Sequence, residues 1–209
     1  RMNYNEVLDA SYAGARVVNL SWTSGCEYNQ YQQAAINEAY DNGTFIVAAA
    51  GNSSIEEDYY PASYNNIISV TGIRTDTSKQ NLSTYNYKVD LCAVGWKSKT
   101  LSGGSTNAYM NSSGTSFAAP VVSATAALLA AKKPNFTSQQ IRQQLRVSSL
   151  IIDTFNHVVN GIHRDNTPYI NKMGKMLNPA RALSDFNIPG IKSNFVSISD
   201  TLSFPSHGR

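Results

Sequence analysis

Apolar and polar positions fall into two periods along most of the chain. Val17–Ser21 (VVNLS) is a short β-branched run and predicts a strand. Between residues 28 and 42 the period lengthens. Tyr31, Ala35 and Ala39 recur every fourth position with Ile36 beside them, which predicts a helix. Gly43 follows where such a helix stops, because glycine enters the left-handed C′ conformation without steric cost. Thr44–Ala50 (TFIVAAA) then runs almost continuously apolar, the pattern of a parallel strand buried on both faces. Strand, helix and strand with short joints form a βαβ unit, which crosses over right-handed. Ile67–Val70 and Val89–Val94 read as a third and a fourth strand.

Residues 95–113 are polar and glycine-rich, with Gly103-Gly104 as a turn signal. Ser116–Ala131 (SFAAPVVSATAALLAA) is small and apolar nearly all round and predicts a buried central helix. Pro120 fits if that helix starts near Ser116, because the first N–H groups of a helix lack intrahelical partners. Pro134 ends the region. Thr137 caps a further helix over 138–147, with Ile141 and Leu145 on one face. Residues 150–172 read as irregular. Asn178 caps a short helix to Leu183, with Pro179 at its first position. The expected class is α/β, a mainly parallel sheet with helices on both faces. Composition changes after Asp185, so residues 1–185 are expected to form the folded unit and 186–209 a linker or the start of a β-rich module.

Composition narrows the function classes. The 209 residues are 42% apolar, enough for the core of one domain or most of one. Charged residues make up 15%, against the usual ~25%. A net charge of +3 with no Lys/Arg stripe argues against nucleic acid as the main partner. No run of ~18 apolar residues marks a membrane span. Cys26 and Cys92 make neither a metal motif nor a disulfide framework. Two buried thiols are expected rather than the single bridge that an oxidising compartment would permit. The chain begins at Arg1 without a signal segment, and its natural N-terminus is expected upstream. The Asn-x-Ser/Thr matches at Asn19, Asn52, Asn81, Asn111 and Asn135 carry no weight in so Asn-rich a chain.

Two segments carry chemistry. In Gly114-Thr115-Ser116-Phe117-Ala118-Ala119-Pro120 a serine stands at the first turn of a buried helix. Its own N–H points toward any oxyanion it creates, and the helix N-terminus favours developing negative charge. Ala48-Ala49-Ala50-Gly51-Asn52 ends a buried strand, where ligands of open α/β sheets bind. The Asn52 amide can donate to an oxyanion there. A lone serine at a helix start is more often a cap, and a lone Asn more often a turn residue. The flanking residues reverse both readings.

These residues resemble the subtilisin-like (subtilase, peptidase S8) family. GTSFAAP is similar to its nucleophile motif. VVNLS, AAAGN, Tyr60-Pro61-Ala62 and the ISV of Ile68–Val70 recur in its order, and Gly174-Lys175-Met176-Leu177-Asn178 is similar to its late segment. The likeness spans about residues 5–185. It implies the three-layer subtilisin-like fold, incomplete here at its N-terminal side, and peptide-bond hydrolysis through an acyl-enzyme on Ser116. It implies an oxyanion held by Asn52 and the Ser116 N–H, with Thr115 among the residues that bind substrate. Leu20, Ser21, Trp22 and Thr23 would pair with substrate backbone. Ala49, Ala50, Gly51, Tyr60, Pro61 and Ala62 would line the pocket for the residue before the cut. Members often carry Ser-Leu-Gly where this chain has Ser21-Trp22-Thr23, so Trp22, with Tyr59, is expected to alter the pocket. The partner would be a protein or peptide, the location secreted or cell-envelope, and the chemistry would need no cofactor. Many members bind structural calcium. Glu56, Glu57 and Asp58 are the acidic candidates, although an exposed acidic loop is the simpler reading.

The family's triad runs Asp, His, Ser along the chain. Upstream of Val17 there is one aspartate, Asp9, and no histidine. His157, His163 and His207 all follow Ser116 and read as solvated or inert. No base is therefore at hand to activate the serine. The expectation is that an upstream part of the same catalytic domain supplies it. One alternative is an inactive relative that binds peptides along Leu20–Thr23, against which the retained Ser116 and Asn52 argue. Another is an unrelated hydrolase using Ser116, Asp153 and His163, which would require Gly-x-Ser-x-Gly on a strand-to-helix turn.

Overall fold

A computed structural model describes residues 4–104, 107–159 and 161–186. Helix α1 (Tyr4–Tyr12) leads into strand β1 (Val17–Leu20), helix α2 (Gln30–Asp41) and strand β2 (Phe45–Ala49). Asn29 caps α2 by accepting from the Tyr31 and Gln32 N–H groups through Oδ1. Gly43, at φ 92°, turns the chain out of it. Strands β3 (Ile67–Ile73) and β4 (Val89–Val94) follow. Then come the antiparallel pair β5 (Ser98–Leu101) and β6 (Tyr109–Ser112), and the long helix α3 (Thr115–Lys132). Helix α4 (Ser138–Ser148), strands β7 (Asn156–Val159), β8 (Ile162–Asp165) and β9 (Lys175–Met176), and helix α5 (Pro179–Ser184) complete the described chain.

The sheet has the order β1-β2-β3-β4-β9, with every pair parallel. Its faces are sorted by alternation along β2. Phe45, Val47 and Ala49 pack into one cluster with Ala118, Val122, Ala126 and Leu129 of α3. Ile46 and Ala48 pack into another with Tyr4 and Val7 of α1 and Ile36 and Ala39 of α2. Each fully buried Ile, Leu or Val contributes about 1.5–3 kcal/mol, which is why β2 is buried at all five positions. Three layers result, helices on both faces of a parallel sheet, as the periodicity predicts. By length and composition α3 could cross a membrane. Half of it is buried in this fold, as suits a core helix.

The structure corrects the sequence reading at four points. Residues 150–172 are not irregular throughout, since β7 and β8 form an antiparallel hairpin. Asn160-Gly161 was a hairpin signal in plain view. Lys175–Met176 adds a fifth strand beside β4, and Gly174 makes room for it. At φ 63° a Cβ there would lie 2.5 Å from the Asp90 carbonyl carbon. Both cysteines are free, but only Cys92 is buried; Cys26 is exposed. Pro120 stands at the sixth position of α3, past the turn where N–H groups go unpartnered. Its ring leaves the Ser116 carbonyl without an intrahelical donor, and Ser21 Oγ fills the gap, donating to Ser116 O at 3.0 Å. The segment read as a linker from 186 lies, beyond Phe186, outside the described residues.

Candidate functional site

The carboxyl ends of β1 and β2 and the start of α3 meet at one edge of the sheet. Gly114 precedes α3 in extended backbone with no side-chain cap. Phe117 N–H turns back to Gly114 O at 3.0 Å, while the Thr115 and Ser116 N–H groups are committed only where a neighbour reaches them. Asn52 does so: its Oδ1 accepts from Thr115 N–H at 2.9 Å and lies 3.2 Å from Thr115 Oγ1. The buried Thr115 hydroxyl also accepts from Gly51 N–H at 3.2 Å. These bonds assign the Asn52 amide. With its oxygen committed to Thr115, its NH₂ has no acceptor among the described residues and is left for an incoming group.

Ser116 Oγ donates to the Ser21 carbonyl at 3.2 Å. With the return bond from Ser21 Oγ, this ties the end of β1 to the start of α3. A groove of about 440 Å³ opens over the pair. Of the residues expected to bind substrate, Ser21, Trp22, Thr23, Ala49, Gly51 and Thr115 line it together with Asn52 and Ser116. Leu20, Ala50, Tyr60, Pro61 and Ala62 are buried and do not line it. Tyr60 works there through its backbone, pairing with Gly25 and accepting from Ser24 N–H. Ser53 and Tyr59 also line the groove. Tyr59 packs over Gly51, its ring 3.1 Å from where a Cβ would stand. Trp22 is held edge-on against Tyr4, whose hydroxyl burial pushes up to about 12. Among the described residues no acidic or basic side chain lines the groove.

The other candidates lie elsewhere. His157 and His163 sit on the β7–β8 hairpin, bonded to Asp76 O and Asn156 Oδ1. Asp153 accepts from Asn171 N–H and lines a different cavity. Ser116, Asp153 and His163 are thus not brought together. His207 lies outside the described residues. Glu56 pairs with Lys172 and Asp58 with Lys88, so two of the three acidic candidates already face a cation. Among the described residues no group of three His, Cys, Asp or Glu side chains could hold a metal.

The class follows from the fold and from the edge where the groove opens. This is an α/β protein with a groove outside the carboxyl ends of parallel strands, lined by the helix-start Ser116. The chain belongs to the subtilase family, whose model matches residues 2–175. It is 39% identical to thermitase of Thermoactinomyces vulgaris over 129 residues, 61% of this chain and 45% of that protein. It is 34% identical to subtilisin BL of Lederbergia lenta over 149 residues, 71% of this chain and 54% of that protein. Among solved structures, a protease of Pseudoalteromonas arctica PAMC 21717 superposes with a TM-score of 0.71 at 26% identity, covering 86% of this chain and 57% of that one. The prenylagaramide maturation protease PagA shares the fold, with a TM-score of 0.70 at 24% identity, covering 86% and 65%. The chain spans about half the length of the curated relatives it matches.

Proposed function

We propose that this chain is the serine-bearing part of a serine endopeptidase that cleaves peptide bonds through an acyl-enzyme on Ser116. The observation that carries the reading is the Asn52 amide. Its oxygen is held by Thr115, and its NH₂, which has no acceptor among the described residues, lines the groove together with Ser116. A peptide-binding relative would need neither group. In the proposed reaction Ser116 Oγ attacks the scissile carbonyl and its proton passes to a histidine. The new oxyanion accepts from Asn52 Nδ2 and the Ser116 N–H. The carbon–nitrogen bond then breaks, the amine leaves with that proton, and water releases the acyl group by the same path in reverse. Substrate backbone lies along Ser21–Thr23 as an added strand. No cofactor enters these steps. The family's secreted members support an extracellular location.

The histidine and its aspartate come, in this reading, from an upstream segment of the same catalytic domain. Ser116 Oγ has a carbonyl rather than a base as its partner. Among the described residues strand β1 has a neighbour on one side only. Helix α3 turns Pro120, Val121, Ala124, Ala127, Leu128 and Ala131 to solvent, an apolar stripe at helical spacing. Such a stripe marks a contact surface.

The test is labelling with a fluorophosphonate probe. It compares the 209-residue chain with the same chain joined to its native upstream coding sequence, each with a Ser116→Ala control. Labelling only in the longer protein, lost in the control, is the expected result. No labelling in either, with both folded, would replace the reading with a peptide binder.

A further inference from the structure

Gln80 is fully buried in the connection between β3 and β4, far in sequence from the motifs that define the site. Its backbone is pinned. Its N–H donates to Gly72 O at 3.1 Å, and its carbonyl accepts from Ser83 N–H at 3.0 Å and Lys79 Nζ at 3.2 Å. Its side chain reaches the end of β4. Of the two orientations of the amide, one pairs donors with acceptors. Nε2 then donates to Gly95 O at 3.2 Å, and Oε1 accepts from Gly114 N–H at 3.0 Å. Gly114 N–H also donates to Gly95 O at 2.9 Å, which closes a three-way contact. The amide head occupies space that side chains at two glycines would take. A Cβ at Gly72 would come within 2.6 Å of it, and one at Gly95 within 3.2 Å.

Gly114 is the residue from which the site is hung. The next N–H, of Thr115, orients the Asn52 amide, and the one after belongs to Ser116. Gly114 has no side chain of its own to cap α3. A glycine before a helix is otherwise free to reorient, and each degree of that freedom would swing both N–H groups.

We propose that Gln80 is a positioning residue for the reaction. Its amide clamps Gly114 against Gly95 and thereby aims the Thr115 and Ser116 N–H groups. The inference rests on the serine-peptidase reading. Without the clamp the chain still folds, but the oxyanion donors lose their aim, and donors act only where they are preorganised. Misplacement on the order of 1 Å can cost about 10²-fold in rate.

The experiment uses the chain joined to its upstream sequence, with active sites titrated by the fluorophosphonate probe. Gln80→Met keeps length and loses both hydrogen bonds. The expected result is a fall in kcat per titrated serine of about ten- to a hundredfold with KM near wild type. Gln80→Glu keeps the acceptor for Gly114 N–H but aims a carboxylate at Gly95 O. Protonation restores an O–H donor there, so its activity relative to wild type should rise as the pH falls. A residue with a merely structural role would lower the yield of active protein and leave kcat per site alone. A folded Gln80→Met variant within twofold of wild type in kcat overturns the inference. If the wild-type protein does not label at all, the peptidase reading fails separately. Hydrogen exchange over residues 113–117 then decides, since faster exchange in Gln80→Met supports the clamp and unchanged exchange removes it.

Discussion

Thr115 and Lys79 show how single side chains carry consequences beyond their contacts. Thr115 Oγ1 is the hinge of the proposed oxyanion site, bonded to Gly51 N–H and within reach of Asn52 Oδ1. Thr115→Val keeps the shape and removes the hydroxyl. In the complete enzyme kcat should fall about tenfold, roughly the worth of one polar hydrogen bond, with KM unchanged. Asn52→Leu removes the donor itself and should cost about 10²–10³ in kcat, a magnitude carried over from subtilisin, a relative in this family. Steady-state kinetics on a peptide substrate checks both. Lys79 is buried without a carboxylate partner among the described residues, and its ammonium lies 4.9 Å from the ring centres of Tyr85 and Tyr169. Burial lowers its pKa from the usual 10.5 to about 8. Between those values the unfolded chain binds more protons than the folded one, so this group's contribution to stability rises with pH across that window. Below about pH 8 the full penalty of burying the cation remains. Lys79→Met should therefore raise the melting temperature at pH 7, by a margin that narrows between pH 8 and 10.5. A margin constant with pH would refute this.

Among the elements, what could be read from the sequence depended on how local its cause was. Strand β2 announces itself because every position is buried, and α3 because its residues are small enough to pass through a core. The candidates Ser116 and Asn52 stand out in the sequence because each lies at the end of such an element. The β7–β8 hairpin escaped the periodicity because its apolar Val158 and Ile162 are exposed rather than sorted to a core, leaving the Asn-Gly dipeptide of the sequence as the signal. Gln80 gave no local signal, since its partners lie 15 and 34 positions away. Pro120 marks the helix start to within one residue, at Thr115, and it also hands the Ser116 carbonyl to Ser21, 95 positions away, which no local pattern shows. That pairing is testable. Ser21→Ala leaves the carbonyl unpartnered and should cost about 1–2 kcal/mol. Adding Pro120→Ala restores a backbone N–H at that position, so it should recover part of the loss in the Ser21→Ala background. Denaturant unfolding of the four variants measures the coupling, and strict additivity would break the argument.

At the scale of the molecule, two uncovered surfaces belong to the elements that frame the groove, the outer face of α3 and, among the described residues, the free edge of β1. Val121 is 41% and Leu128 58% exposed on α3, while β1, whose Val17 and Val18 are half-buried against the cores, has no neighbour on its outer edge among the described residues. An apolar stripe and a free parallel-type edge both invite association. The 209-residue chain alone is thus expected to aggregate, and joining it to its upstream sequence should give a soluble monomer. The joint substitution Val121→Lys and Leu128→Lys separates the reasons. In the short chain it should raise solubility, because the stripe becomes polar. In the complete protein it should lower stability by about 3 kcal/mol or more, since two apolar contacts are lost and two charges are buried. Labelling of Ser116 should fall with it, because the segment that covers the stripe is the one proposed to bring the histidine. Light scattering on the short chain, with thermal unfolding and probe labelling on the long one, reads all three. If the double substitution leaves the complete protein's stability and labelling intact, the stripe is not where the upstream segment docks. The proposed completion of the triad would then need another approach to Ser116.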